Sequence, residues 1–129
     1  MASRAVTSAV LRAINHQITG SSVVVQPNGL ESAITRPAMT LHYEPQRQPT
    51  YLAATLTYGL IMNHPFLDGN KRTAQEAAHL YLKEAGYELQ KRKDRADTVL
   101  SAAHAKVATS QMDVEQLAEV YAGLFAKIK

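Results

Sequence analysis

Residues 51–86 read YLAATLTYGLIMNHPFLDGNKRTAQEAAHLYLKEAG, and the organisation of the chain follows from how this stretch divides. Leu52, Leu56, Gly59 and Leu60 recur along one side of a helix over about 51–63, with Tyr51, Thr55, Tyr58 and Met62 along another. Apolar residues on more than one side predict a central helix. His64 precedes Pro65, and a residue before proline is pushed out of the helical region, so this helix stops there. Over about 70–85, Ala74, Ala77, Ala78, Tyr81, Leu82 and Ala85 form the cleanest helical stripe in the chain. Its alanines let a neighbouring helix approach closely, and Gly86 is well placed as a left-handed cap.

Helical periodicity extends outward from this pair. Val6, Val10, Leu11, Ile14 and Ile18 mark a first helix that Gly20 stops. Residues 21–29, SSVVVQPNG, read as a connection with room for a short extended piece, and Pro27-Asn28-Gly29 is turn chemistry. LESAITR then makes a short helix that ends near Pro37. Residues 37–50, PAMTLHYEPQRQPT, hold three prolines and no helical period, which predicts an irregular or β-like surface flap. Ala96, Val99, Leu100, Ala103 and Val107 mark another helix, with Asp94 or Asp97 near its positive end. Val114, Leu117, Ala118, Tyr121, Leu124, Phe125 and Ile128 mark the last. The expectation is an all-α, compact bundle of about six helices forming a single domain over 1–129, with a flap at about 37–50 and an active-site loop at 64–72.

Composition narrows the function classes. A chain of 129 residues, 46% hydrophobic and 19% charged, matches one compact soluble domain. With no cysteine, a disulfide framework, a thiolate zinc site and a Cys nucleophile are excluded. No apolar run approaches the roughly 18–20 residues that span a bilayer, and MASRAVTSAVLRAI is amphipathic rather than a signal core, so a cytoplasmic location without a membrane partner is expected. The net charge of +3 falls short of a nucleic-acid footprint, and no direct nucleic-acid binding is expected. KRKDR at 91–95 carries its own Asp94 and reads as a solvated stretch.

The chemistry concentrates in HPFLDGNKR, residues 64–72. A helix opening at Gly69 and Asn70 presents unpaired backbone N–H groups and the positive end of a dipole, a ready anion site. Lys71 and Arg72 add two full positive charges where the dipole alone disfavours them. Asp68 supplies the hard oxygen that Mg²⁺ prefers when it also binds phosphate oxygens. His64 is a candidate general base for a hydroxyl attacking phosphorus, since histidine as a residue type titrates near neutral pH. Phe66 points into the core and fixes the turn. The bland alternative is a capping His followed by ordinary Asp-Gly turn vocabulary. No Walker A pattern is present.

These residues resemble the Fic/Doc signature, His-x-Phe-x-Asp/Asn/Glu-Gly/Ala-Asn-Gly/Lys-Arg, and the Lys variant is the form of death-on-curing (Doc) toxins. GLESAITRP, YGLIMNHPF and AAHLYLKEAGYEL also look Doc-like, so the resemblance covers at least residues 29–89. It implies a helical Fic fold and transfer of part of a nucleotide, ATP or another NTP with Mg²⁺, onto a protein hydroxyl. His64 would be the general base, Asp68 the metal- or phosphate-orienting acid, and Gly69, Asn70, Lys71 and Arg72 the anion hole. The flap at about 40–50, with His42, Tyr43 and Arg47, would hold the target segment by strand-like pairing.

Two departures from AMP-transferring members bear on the reaction. Lys71 stands where they carry Gly, and Gln75 where they carry a second Arg. Doc members with the Lys bind the nucleotide inverted and act as protein kinases, with elongation factor Tu as the family's known target. The resemblance therefore implies γ-phosphate transfer to a Ser/Thr hydroxyl; the alternatives are a nucleotidyl transferase or a catalytically weak binding module. The nearest match to the family's inhibitory-helix pattern, Thr40 to Glu44, is followed by Pro45 and is expected to be non-helical, so restraint by a partner antitoxin is implied instead. His16, His42, His79 and His104 lack metal spacing and read as surface or core. Tyr121 and Phe125 read as core, or as a groove for a partner helix. Arg36 is a weaker candidate for reaching the site.

Overall fold

The computed structural model describes residues 5–128; the start of the amino-terminal stretch, Arg4 included, and Lys129 lie outside the described residues. In chain order the elements are α1 (Ser8–Thr19), α2 (Pro27–Tyr43), α3 (Pro49–Asn63), α4 (Asn70–Glu84), β1 (Tyr87–Leu89), α5 (Lys93–Ala108), α6 (Val114–Leu124) and β2 (Phe125–Lys127). The six-helix expectation holds, with a small antiparallel sheet added. Among the described residues no helix is long and apolar enough to cross a membrane.

α3 is the centre of the bundle. Leu52, Ala53, Ala54, Leu56, Gly59, Leu60 and Ile61 are all buried on it, and it packs against α2, α4, α5 and α6. α4 lays Ala74, Ala77, Ala78 and Leu82 into the same core. α1 begins at Thr7, whose hydroxyl accepts from the Val10 N–H, and ends at Gly20 in the left-handed region. α6 opens with a capping box between Asp113 and Gln116.

Three sequence expectations are corrected. Pro27-Asn28-Gly29 is not a turn but the start of α2, with Pro27 in the first helical turn, where a missing N–H costs nothing. α2 does not end near Pro37; it runs through the proline to Tyr43. A proline inside a helix forfeits one hydrogen bond and costs about 3 kcal/mol. Here the helix is held from outside, because α2 makes the most extensive contact in the bundle, against α3. A Cβ on Gly59 would lie 3.0 Å from the Ala33 Cβ, so the two backbones run almost in contact one turn before the buried Pro37. The flap of 37–50 is therefore helical as far as Tyr43, and only residues 44–48 are irregular. Thr40 to Glu44 is the end of α2, the Glu44 N–H donating to the Thr40 carbonyl at 2.8 Å, rather than a non-helical segment.

The third correction is at the carboxyl end. The apolar pattern continues through Phe125 to Ile128, but the helix stops at Leu124 and Phe125 turns extended. Gly86, in the left-handed region, releases β1 from α4, and β1 offers β2 a free edge. Tyr87 pairs with Lys127, Glu88 with Ala126 and Leu89 with Phe125. Phe125 is buried all the same, so its core position is kept while its backbone is not helical.

Candidate active site

The turn between α3 and α4 is fixed from four directions before any ligand is considered. Asn63, the last residue of α3, donates from Nδ2 to the Gly29 carbonyl at 3.0 Å. His64 follows in the left-handed region, φ 49°, and its side chain is exposed. Phe66 is fully buried, as expected of the residue that plugs the turn. Asn70 then closes the loop on itself: Phe66 N–H donates to Oδ1 at 3.0 Å, and Nδ2 donates to the Phe66 carbonyl at 2.8 Å. The Asn70 side chain is thus a brace, and the anion site receives only its backbone N–H.

The short extended piece foreseen in 21–29 exists, and it flanks the same turn. Val24 pairs with Phe66 as an isolated bridge; Val25 N–H donates to the Pro65 carbonyl at 2.8 Å and Leu67 N–H to the Val23 carbonyl at 2.8 Å. From α1, Asn15 reaches in. It is 1% exposed, and its Nδ2 donates to the Asp68 carbonyl at 2.8 Å and to Thr73 Oγ1 at 3.1 Å. Sequence reading missed this residue. The signal was available: Asn15 lies four residues after Leu11 and beside Ile14 and Ile18, a polar group on the apolar stripe of α1.

Gly69, at φ 76°, precedes α4, and a Cβ there would sit 2.8 Å from Thr19 Cγ2. Its freedom from a side chain thus serves the approach of α1. The Gly69 N–H donates to Asp68 Oδ1 at 2.8 Å, and among the described residues Oδ2 takes no hydrogen bond or ion pair. No side chain caps α4 and no acid lies in its first turn. Thr73 N–H reaches the Gly69 carbonyl at 2.9 Å, so the N–H groups of Asn70, Lys71 and Arg72 are the uncapped donors. Among the described residues, the side chains of His64, Lys71 and Arg72 make no hydrogen bond or ion pair. Together His64 and residues 68–72 line a cleft of about 590 Å³ with apolar walls from Ile61, Met62, Leu67 and Ala108.

The remaining sequence candidates lie elsewhere. His42 and Tyr43 end α2, exposed, their rings edge to face at 4.9 Å. Arg47 is tied down: it pairs with Glu44 at 2.8 Å and Glu115 at 3.0 Å and lies over the Tyr51 ring at 3.8 Å. None of the three lines the cleft, and no strand forms at 40–50. Arg36 faces a separate shallow cleft on α2. Gln75 lines a third cleft between α1, α4 and α5, which it shares with Arg72. In the KRKDR stretch Arg92 pairs with Asp94 at 3.0 Å, and Lys93 reaches beyond it to Asp97 at 2.7 Å.

Of the other histidines, His79 sits 2.8 Å from Asp97 and links α4 to α5. Partial burial works against the Asp97 carboxylate, but Lys93 and His79 outweigh it and hold the group below the usual range. His104 is fully buried, and desolvation pushes it down to about 4, so it is neutral.

The geometry can hold an anion against α4 with a histidine opposite. A model of the Fic/DOC family matches residues 5–82. The protein called Toxin Doc in Mycolicibacterium smegmatis is 35% identical over 112 residues, 83% of this chain and 82% of that protein. With the motif, its helical setting and both comparisons in agreement, the chain belongs to the Fic/DOC family.

Proposed function

We propose that this protein is a Doc-like kinase toxin that moves the γ-phosphate of a nucleoside triphosphate, ATP in the first instance, to a Ser or Thr hydroxyl of a protein target. One observation carries the reading: two cations that are unpaired among the described residues stand at the uncapped amino terminus of α4, in a cleft that also holds an exposed histidine. Such an array attracts a polyanion through charge, dipole and three open N–H donors at once.

The His64 imidazole takes the proton of the target hydroxyl as that oxygen bonds to the γ-phosphorus. The bond from phosphorus to the β–γ bridging oxygen breaks, and the nucleoside diphosphate leaves with its electron pair. Lys71, Arg72 and the N–H groups of residues 70–72 hold the charge that shifts during transfer, which is most of what phosphoryl transfer asks of a protein. Asp68 suits Mg²⁺: one carboxylate with a free oxygen beside a phosphate site is the usual mode for this ion, which when bound neutralises phosphate charge. By the family resemblance, Lys71 would intrude where AMP-transferring members seat a diphosphate and Gln75 lacks the cation of their second Arg, so both argue against nucleotidyl transfer.

The target segment is assigned to the Val23–Gln26 edge rather than to residues 40–50. That edge is extended, abuts the turn, and exposes Val23 and Val25 beside Leu67. Elongation factor Tu is the target to try first. Restraint comes from an antitoxin in trans, since Glu44, the only acid of the Thr40–Glu44 pattern, is held by Arg47 away from the cleft.

Purified protein, Mg²⁺, a cell lysate and ATP labelled at the α- or γ-phosphate decide between the readings, with His64→Ala as control. Label from the γ position alone, lost in His64→Ala, is expected. Transfer from the α position overturns the kinase reading in favour of a nucleotidyl transferase, and no transfer in the presence of elongation factor Tu and lysate favours a binding module.

A further inference from the structure

Sequence alone reads KRKDR as a solvated stretch, but the fold sets it around a cleft of about 530 Å³ that the proposed chemistry does not use. Lys91 and Arg92 line it from the connection after β1, and Arg95, Thr98 and Val99 from the first turns of α5. Residues three and four apart share a helix face, which brings those three side chains together. Residues 91–95 hold four cations and one acid, so this short stretch carries a charge equal to the whole chain's +3. The pairings within reach leave much of that charge open. Arg92 is held by Asp94, and Lys93 is drawn to Asp97 and, at 4.0 Å, toward Glu76 on α4. The side chains of Lys91 and Arg95 make no hydrogen bond or ion pair among the described residues. Val99, 40% exposed, puts an apolar patch among them.

Folding gains nothing from this arrangement. Cations near the start of a helix oppose its dipole and repel one another, and Lys91 and Arg95, both exposed, receive neither burial nor an ion pair in return. A ligand rich in negative charge supplies the missing partner. Nucleic acid fits poorly: no aromatic side chain lines the cleft to stack a base, and the cations form one short cluster rather than the extended track of a duplex backbone. A peptide that sets an apolar side chain among carboxylates matches it, the carboxylates to the cations and the apolar group to Val99.

Position indicates whose peptide this is. From Arg95 to Ala108, on the wall of the nucleotide cleft, α5 rises roughly 20 Å at about 1.5 Å per residue. An extended chain needs at least about six residues to cover that distance. A protein held at the start of α5 therefore leaves the nucleotide cleft open, as a substrate must, and can present a hydroxyl there at raised effective concentration. We propose that the cleft at the start of α5 docks an acidic segment of the protein target, with an apolar side chain among its carboxylates, at least about six residues from the hydroxyl that is phosphorylated. Its bearing on transfer rests on the kinase reading above; its affinity for acidic peptide does not.

Calorimetry of the full chain with a blocked peptide of four glutamates around one leucine is the first test. Binding that weakens as salt rises is expected. Lys91→Gln with Arg95→Gln should lower the affinity about fivefold to tenfold, the range for two exposed charges. Arg12→Gln with Lys106→Gln removes the same charge elsewhere and should leave affinity within about twofold. All four positions are exposed, so both double variants should keep the native melting temperature. Replacing the peptide's leucine by serine should weaken binding to the native chain but not to Val99→Ser. No binding to the native chain, or equal losses in the two double variants, overturns the proposal. A DNA duplex that binds more tightly than the peptide, and is lost in the Lys91 and Arg95 double variant, overturns it in favour of a nucleic-acid site. With the protein that takes the γ-label, the same double variant should raise KM about fivefold to tenfold and move kcat by less than about twofold; an unchanged KM overturns the assignment to the target. Where the native chain transfers no label the kinase reading fails, and peptide binding alone decides whether the docking site exists.

Discussion

Replacing Gly69 with Ala tests whether the site turn is held by α1 or merely lies beside it. The backbone at φ 76° is left-handed, which costs an L-residue roughly 1 kcal/mol. The new Cβ would also lie 2.8 Å from Thr19 Cγ2, 3.1 Å from Asn15 Nδ2 and 3.3 Å from Ile18 Cγ2. A methyl usually swings away from such a clash. Here it is locked, because the Thr19 hydroxyl donates to the Asn15 carbonyl at 2.9 Å and accepts from the N–H groups of Ser21 and Ser22, both at 3.3 Å. Forced overpacking of this kind adds about 1–3 kcal/mol. The sum predicts that Gly69→Ala lowers stability by about 3 kcal/mol, read as a fall in the urea midpoint at constant slope. Thr19→Ser removes Cγ2 and keeps the hydroxyl. Added to Gly69→Ala, it should restore about 1–2 kcal/mol, leaving the backbone part unrelieved. A loss under about 1 kcal/mol, or no relief from Thr19→Ser, would refute the claim that close approach of α1 dictates this glycine.

Asn15→Leu keeps the volume but strips the donors from the Asp68 carbonyl and Thr73 Oγ1; an expected loss of about 2 kcal/mol, with transfer activity falling further than nucleotide binding, is checked by urea titration and turnover assays. Lys71→Gly should lower γ-label transfer at least about tenfold, and Lys71→Gly with Gln75→Arg should begin to transfer label from the α position; unchanged γ-transfer in either variant removes Lys71 from the mechanism. Acid should destabilise the fold through His104. Its folded value of about 4 lies below the ordinary 6.5, so stability is intact above pH 6.5 and is lost as pH falls toward 4, by about 3 kcal/mol at about 1.4 kcal/mol per pKa unit. Urea titrations at pH 7, 5.5 and 4 on native protein and His104→Gln check it, since the variant should lack this part of the decline.

Burial on all sides made α3 legible as the central helix, and the alanine stripe did the same for α4. Both signals are periodicities of side-chain type, which sequence displays directly. Phe66 and Gly86 were legible because a lone aromatic in a tight turn and a glycine after a helix each have few physical uses. Pro37 was misread for the opposite reason. The local rule that ends a helix at proline is correct, but contact with α3 at Gly59 and Ala33 overrides it, and that contact is a property of two segments at once. The flap of 37–50 fell with it. Likewise, Phe125 kept its buried position while its backbone switched to strand, because the apolar pattern reports burial and not the edge that β1 offers.

The same distinction separates the two halves of the site. Groups proposed to meet the nucleotide, His64 and Asp68 to Arg72, are contiguous, so their spacing can be read from one short stretch. Groups that aim them come from far along the chain: Asn15 on the Asp68 carbonyl, Gly29 on Asn63 and Val23 on Leu67. Every one of those braces engages the backbone of one partner. A backbone carbonyl or N–H looks the same under any side chain, so residue type at the turn says nothing of what will hold it. What sequence does display is the other partner, a polar residue on an apolar stripe, as at Asn15 after Leu11. Such a residue must find a hydrogen-bond partner or forfeit the burial its stripe predicts. In this fold Asn15 points toward the turn, which is why the chemistry of HPFLDGNKR depends on a helix that contributes no residue to it.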